Sequence, residues 1–139
     1  MPRSLVQVYL HCVWATLRRE PAITLEWEPP VYSSIRHEAE KSGCRVLAIG
    51  GVEDHVHLLV QLSPLLSTAA LMKQVKGATS RLTNSMTPHY ESLHWQEGYG
   101  AFSVSPSHRT KITNYVTNQK QHHADGTLLP NAERTDDEQ

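Results

Sequence analysis

Two histidines separated by one residue are the first groups in this sequence with an evident chemical use. His55 and His57 fall in residues 55–62, where they, Leu59 and Gln61 alternate with four aliphatic residues. This alternation predicts a β-strand, and strand residues two apart point to the same face. Both imidazoles can therefore reach one divalent ion. A bare His-x-His pair is equally compatible with two half-buried structural histidines.

A tyrosine and a glutamine near the C-terminus extend the possible site. Tyr115 and Gln119 are four residues apart on a predicted helix over residues 108–123, so they project from the same helix face. Two imidazoles and the Gln119 carbonyl oxygen could hold Mg²⁺ or Mn²⁺, with Tyr115 beside the ion as a nucleophile. The ion would act as a Lewis acid on a scissile phosphate. A phenol, with a pKa of about 10, needs such help to attack.

The order of the predicted elements indicates how these groups are positioned. Strands are predicted at 4–14, 44–52, 55–62 and 101–105, and helices at 29–42, 68–85 and 108–123. This order predicts an α+β fold, a ferredoxin-like (RRM-like) βαββαβ antiparallel sheet with an extra C-terminal catalytic helix. The first two helices should cover one sheet face and leave the histidine face open. The first strand is expected at a sheet edge, and Gly50-Gly51 is expected to form a bulge or a tight bend.

Composition limits the classes of protein to which this chain can belong. The 139 residues suit a single domain, predicted over residues 1–124, followed by an acidic, disordered tail over residues 125–139. The net charge of −1 does not by itself indicate a nucleic-acid partner. Cys12 and Cys44 read as buried, reduced thiols. Because no apolar run approaches membrane-spanning length, the sequence predicts a cytoplasmic protein without a membrane partner.

Basic residues cluster on the second predicted helix. Lys73, Lys76 and Arg81 lie outside its apolar stripe, and Thr79 and Ser80 lie among them. A solvated surface is the simpler interpretation of these charges. A face that contacts phosphates is the more specific one, because small residues beside cations allow close approach of a nucleic-acid backbone.

Four stretches resemble, in the same order, the conserved blocks of one known family. Residues 54–60 resemble the HUH motif (His, hydrophobic, His), and residues 76–81 resemble a Lys-Gly-x-Ser segment on the second helix. Residues 95–105 and 115–119 resemble the C-terminal blocks. The family is the single-tyrosine HUH transposases of small bacterial insertion sequences that move as single-stranded DNA (IS200-like transposases). The resemblance covers about residues 5–123.

The resemblance implies a complete catalytic assignment. His55, His57 and Gln119 would be the ligands of Mg²⁺ or Mn²⁺, and Tyr115 would attack single-stranded DNA to form a 5′-phosphotyrosine and free a 3′-OH. Substrate ends would be DNA hairpins, and the enzyme would be a homodimer in which the tyrosine acts in cis or in trans. Family members often carry Thr-Lys-Tyr-Arg where this chain has residues 16–19, so among these residues Arg18 is the candidate DNA contact.

Other histidines and other functions remain as alternatives. His11 is expected to be structural or to line the substrate site, and His122 and His123 to form a solvated helix end. One alternative function is a domesticated transposase that serves repetitive extragenic palindromes with the same residues. A non-catalytic nucleic-acid-binding module lacks support, because the open face shows no paired sheet aromatics. A metal hydrolase unrelated to DNA lacks a third histidine or carboxylate near the pair.

Overall fold

The computed structural model describes residues 4–86 and 93–135, and within them it confirms the predicted order of elements. Between the strands and helices lie irregular segments and short 3₁₀ turns. The elements are β1 (Tyr9–Ala15), α1 (Glu28–Lys41), β2 (Arg45–Val52), β3 (His55–Gln61), α2 (Thr68–Met86), β4 (Gly100–Val104), α3 (Arg109–Thr117) and α4 (Gln119–Asp125). Residues 87–92, part of the segment between α2 and β4, lie outside the described residues. The fold is the expected α+β arrangement of a four-stranded sheet with helices.

The sheet is antiparallel throughout, with strand order β2-β3-β1-β4. The expectation that the first strand lies at an edge is wrong, because β1 pairs with β3 on one side and with β4 on the other. The sheet edges are therefore β2 and β4. The expected bulge is also displaced, since the register shift in β2 falls between Val46 and Ala48 rather than at Gly50-Gly51.

The main core lies between one face of the sheet and the helices α1 and α2. Trp14 and Leu58 from the sheet pack in one buried cluster with Ile35 of α1 and Leu71 of α2. The alternation predicted for β1 and β3 is seen here, because alternate apolar residues such as Trp14 and Leu58 point to the face covered by α1 and α2. Both cysteines are free thiols and are buried.

The opposite face, which carries the histidines, is covered by α3. Val116 of α3 packs with Ala48 and Leu59 in a second buried cluster. Gly50 permits this contact, because a Cβ atom at position 50 would lie only 1.8 Å from the Val116 carbonyl oxygen. The expected single helix over 108–123 is interrupted at Asn118, whose φ and ψ are −104° and 31°.

Residues 127–135, here called the C-terminal strap, continue across the histidine face. Gly126 ends α4 in the left-handed conformation with φ 68°, the usual role of glycine at a helix C-terminus. Gly100 accommodates the far end of the strap, because a Cβ there would lie 1.9 Å from the Arg134 carbonyl oxygen. The structure describes residues 125–135 of the predicted tail, and residues 136–139 lie outside the described residues.

Candidate active site

His55 and His57 lie side by side on the sheet face beneath α3. Their ring centroids are 5.1 Å apart, and both side chains are almost completely buried. On the neighbouring strand β1 they face Ala15 and Val13, respectively. The alternation of β3 therefore produces the pair, and the pair is buried beneath the C-terminal helices and the C-terminal strap.

Each histidine is held through its Nδ1 atom. His55 Nδ1 donates to the Asp54 carboxylate at 2.7 Å, and His57 Nδ1 lies 2.7 Å from Nε2 of His11. Burial, and secondly the neighbouring His57, lowers the pKa of His11 to about 3, so His11 is a neutral partner. These contacts direct the Nε2 atoms of His55 and His57 towards the C-terminal strap. His11 is thus a structural neighbour of the pair, one of the two roles expected for it.

Tyr115 of α3 lies beside this pair within the same chain. Its ring centroid is 6.0 Å from that of His57. Its hydroxyl donates to Glu133 Oε2 and accepts a hydrogen bond from the Leu129 N–H at 3.0 Å. Burial, and secondly the hydrogen bond to Glu133, raises the pKa of Tyr115, so the free phenolate is disfavoured in this state.

Glu133 of the strap is the group that the sequence did not reveal. Its Oε1 lies 3.2 Å from His55 Nε2, and its Oε2 lies 3.2 Å from His57 Nε2. Although burial alone would raise the pKa of the Glu133 carboxyl, hydrogen bonds from His55 and His57 hold it far below its usual range. The three side chains form a cluster whose ligand atoms all lie within 4.8 Å of one another, a group able to hold a metal ion.

Gln119 and His123 occupy the next layer around the pair. Gln119 is fully buried, and its Oε1 lies 3.1 Å from His123 Nε2. His123 Nε2 in turn lies 3.2 Å from His55 Nε2. The expectation that His123 belongs to a solvated helix end is wrong, because the break at Asn118 redirects α4 so that His123 faces the sheet histidine. Gln119 is near the cluster, with His123 between it and His55.

The candidate DNA contacts fall into two groups. Lys76 Nζ donates to the carbonyl oxygens of Gln96 and Gly98 at 2.9 and 3.1 Å, and Thr79, fully buried, accepts a hydrogen bond from Trp95 Nε1 at 2.8 Å. Both residues therefore stabilise the segment before β4. Because Thr79 is fully buried, its side chain is not available as a surface contact to DNA. The remaining candidates are accessible: Arg18, Lys73, Ser80 and Arg81.

Most of these candidates lie far from the histidine face. Lys73, Ser80 and Arg81 belong to α2, which packs on the other face of the sheet. Arg18 lies in the 3₁₀ turn Leu17–Arg19 that follows β1, with the left-handed φ of 56°. Tertiary structure thus separates the α2 cations from the histidine cluster by the thickness of the sheet.

Two cavities border the strap on either side of Leu129. One of about 510 Å³ is lined by His11, Phe102 and Lys111, among others, and one of about 360 Å³ is lined by Tyr115 and, again, Lys111. The side chains of Phe102, Lys111 and Tyr115 thus border the open space around the site. No helix in the described ranges 4–86 and 93–135 is long and apolar enough to span a membrane.

Comparison with known proteins places this architecture in a class. The chain is 25% identical over 118 residues to the ISDra2 transposase TnpA of Deinococcus radiodurans, covering 81% of this chain and 84% of that protein. It is 27% identical over 114 residues to the transposase for insertion sequence element IS200 of Salmonella typhimurium, covering 78% and 74%. Homologues of this kind are DNA-cleaving and rejoining enzymes, the transposases.

Structural neighbours agree with this class. A putative transposase from Deinococcus radiodurans superposes with a TM-score of 0.69 at 27% identity, covering 86% of this chain and 95% of that one. A REP-associated tyrosine transposase bound to a REP hairpin shares the fold, with a TM-score of 0.61 at 11% identity over 92% and 74% of the two chains. The family model "Transposase IS200 like" matches residues 4–119. The chain belongs to the IS200-like transposase family.

Proposed function

We propose that this transposase cleaves and rejoins single-stranded DNA through Tyr115, at element ends marked by DNA hairpins. The observation that carries the proposal is the placement of the Tyr115 hydroxyl in one cluster with His55 and His57 of the same chain. In the proposed step the tyrosine oxygen loses its proton and forms a bond to phosphorus, the bond from phosphorus to the 3′ oxygen breaks, and that oxygen takes up a proton to leave a free 3′-OH. The 5′-phosphotyrosine conserves the bond energy for rejoining.

A divalent ion, Mg²⁺ or Mn²⁺, is part of this proposal. His55 and His57 would supply two nitrogen ligands, and a side-chain oxygen of Gln119 or Glu133 would supply a third. These residues fit such an ion, because two imidazoles and one oxygen form a mixed donor set that leaves positions for phosphate oxygens. When bound, the ion would act as a Lewis acid on the scissile phosphate.

The residues of the chain prepare the nucleophile. Asp54 and His11 fix the imidazoles through their Nδ1 atoms, so the Nε2 atoms face the reaction site. Tyr115 must exchange its hydrogen bond to Glu133 for contact with the phosphate before it attacks. α3 holds the phenol on the sheet and thereby limits the orientations that it can take.

Binding of the DNA would rest on three exposed cations and one accessible hydroxyl. We propose Arg18, Lys73, Ser80 and Arg81 as contacts to the hairpin, since phosphate contacts supply most non-specific affinity. Their position away from the histidine face would place the hairpin and the scissile strand on different parts of the surface. The homodimer belongs to the same proposal, and β2 and β4, the edge strands of the sheet, are the strands able to join two sheets.

The experiment uses single-stranded oligonucleotides from the DNA that flanks the gene. Incubation with Mn²⁺ or Mg²⁺, followed by a denaturing gel, should reveal a covalent protein–DNA adduct. Tyr115→Phe should form no adduct yet bind the hairpin with nearly unchanged affinity, because only the hydroxyl is removed. Tyr99→Phe is the matched control, and it should form the adduct normally. Adduct formation by Tyr115→Phe would contradict the assignment of the nucleophile.

A further inference from the structure

We propose that the larger of the two cavities is a nucleotide subsite, where one base of the single strand stacks on Phe102 and an adjoining phosphate contacts Lys111. This inference rests on the proposed function and deepens it, because it names two side chains that hold the DNA beside Tyr115. Neither side chain belongs to the histidine cluster. The position of the cavity, the nature of its walls and the charge at its border lead to this assignment.

The cavity lies directly beside the nucleophile. It has a volume of about 510 Å³ between β4, α3 and the strap, and His11 forms part of its wall. The ring centroid of His11 is 6.0 Å from that of Phe102 and 6.5 Å from that of Tyr115. A strand whose scissile phosphate lies at Tyr115 therefore has a neighbouring nucleotide within reach of the cavity.

Strand pairing places an aromatic ring on the wall of this cavity. Phe102 is the direct partner of His11 in the antiparallel register of β4 and β1, so both side chains point to the same face of the sheet. Phe102 is only partly buried. Val104 and Ile112 add aliphatic side chains to the wall. Aromatic side chains of this kind stack on nucleobases with little regard to sequence, because every base has a π face.

Exposure divides the lining of the cavity into an apolar part and a polar part. The exposed lining residues are polar or charged, and the less exposed ones are aromatic or aliphatic. Among the polar ones, the Ser105 hydroxyl lies 2.6 Å from His108 Nδ1, and Asn131 belongs to the strap. Hydroxyls and amides form hydrogen bonds with base edges. A base can therefore stack on the inner surface while its edge meets polar groups, as in most small-ligand sites.

Lys111 supplies the charge that a nucleotide requires. It lies four residues before Tyr115 on α3, so the two side chains share one face of the helix. Lys111 is exposed and borders both cavities. Among the residues that the structure describes, its ammonium group has no acidic partner. Such a cation is available to a backbone phosphate, and a phosphate contact fixes the position of a strand.

Charge and position favour a nucleotide over a peptide segment as the occupant. An apolar peptide would fill the inner surface of the cavity but would give the Lys111 ammonium group no anion. It would also stand beside Tyr115, where the scissile strand has to enter. A nucleotide meets the cation with its phosphate and the aromatic wall with its base, and it reaches the cavity as part of the substrate.

The test measures binding of the full-length protein to single-stranded oligonucleotides from the DNA that flanks the gene, by fluorescence anisotropy in EDTA. EDTA prevents cleavage, so binding is measured apart from the chemistry. Each oligonucleotide lacks the base at one position. At one position, loss of the base should weaken binding by about fivefold or more in the wild type and have little effect in Phe102→Leu, whose stacking ring is already absent. Phe102→Tyr keeps the ring and should respond like the wild type.

A second variant tests the phosphate contact. Lys111→Met keeps the apolar stem and removes the charge, so it should weaken binding of every oligonucleotide and lower the slope of log K against log salt by about 0.7, the loss of one phosphate contact. Lys41→Met removes an exposed cation at the end of α1, on the other side of the sheet, and should leave the slope unchanged. Melting curves check that the variants are folded. If Phe102→Leu is unfolded, Lys111→Met still tests the subsite.

The outcomes separate the subsite from the proposed function. If each loss of a base has the same effect in the wild type and in folded Phe102→Leu, or if Lys111→Met keeps the wild-type salt slope, the subsite is overturned. If the strand binds through both residues but forms no adduct with Mn²⁺, the proposed function fails and the subsite stands. If both variants bind and form the adduct like the wild type, the subsite fails and the proposed function stands.

Discussion

Replacement of Gly50 by alanine should detach the tyrosine helix from the sheet without unfolding the protein. The new Cβ would lie 1.8 Å from the Val116 carbonyl oxygen and 2.9 Å from the carbonyl carbon. Because carbon–oxygen contacts are about 3.3 Å or longer, α3 must move by about 1.5 Å. The obstruction is backbone, so no change of side-chain rotamer relieves it.

The magnitude follows from what α3 buries. Overpacking a well-packed contact costs about 1–3 kcal/mol, which lowers the melting temperature of a chain of this size by roughly 3–12 °C. Val116, Ala48 and Leu59 form a cluster separate from the main core on the other face of the sheet, so cooperative folding should persist. Displacing Tyr115 by an ångström or more should slow adduct formation about 100-fold.

The assay combines thermal melting by circular dichroism with the single-strand adduct gel. Gly77→Ala makes the same chemical change within α2, where a Cβ would meet only the mobile end of the Arg81 side chain. It should raise stability by about 0.4–1 kcal/mol, because alanine restricts the unfolded chain and favours helix. If Gly50→Ala melts and reacts like the wild type, the close contact between position 50 and the Val116 carbonyl does not hold α3 in place.

Three further predictions concern the site and its supports. EDTA should stop adduct formation, and His57→Ala should weaken Mn²⁺ binding strongly in calorimetry; equal affinity in the two proteins would contradict the metal site. A mixture of His57→Ala chains with Tyr115→Phe chains should stay inactive in the adduct gel, because histidines and tyrosine lie together in one chain; recovered activity would show that the tyrosine acts in trans. Thr79→Val should lower the free energy of unfolding by about 1–3 kcal/mol in urea titration, since it leaves the Trp95 indole N–H without its acceptor; a loss of hairpin affinity at unchanged stability would instead favour a direct DNA contact.

Short-range patterns in the sequence were sufficient to predict the scaffold and to place His55 and His57 on one face of a strand. Alternation in residues 55–62 places His55 and His57 on one face, because side chains on a strand alternate with a period of two. The order of strands and helices leads to the four-stranded sheet with two helices on one face. The sequence also identified Tyr115 as a candidate, because it lies four residues before Gln119 on the same face of a predicted helix.

Only the tertiary structure decided which other groups join the pair. Glu133 is 76 residues from His57, in an acidic tail with no periodicity to distinguish it, and it reaches the site because Gly126 turns the chain and Gly100 leaves room for the strap. His11 comes to His57 through strand pairing across 46 residues. The interruption of the last helix at Asn118 lies outside any regular pattern, yet it directs His123 towards His55. Contacts of this kind depend on how distant backbone segments approach one another in space, which local spacing does not encode.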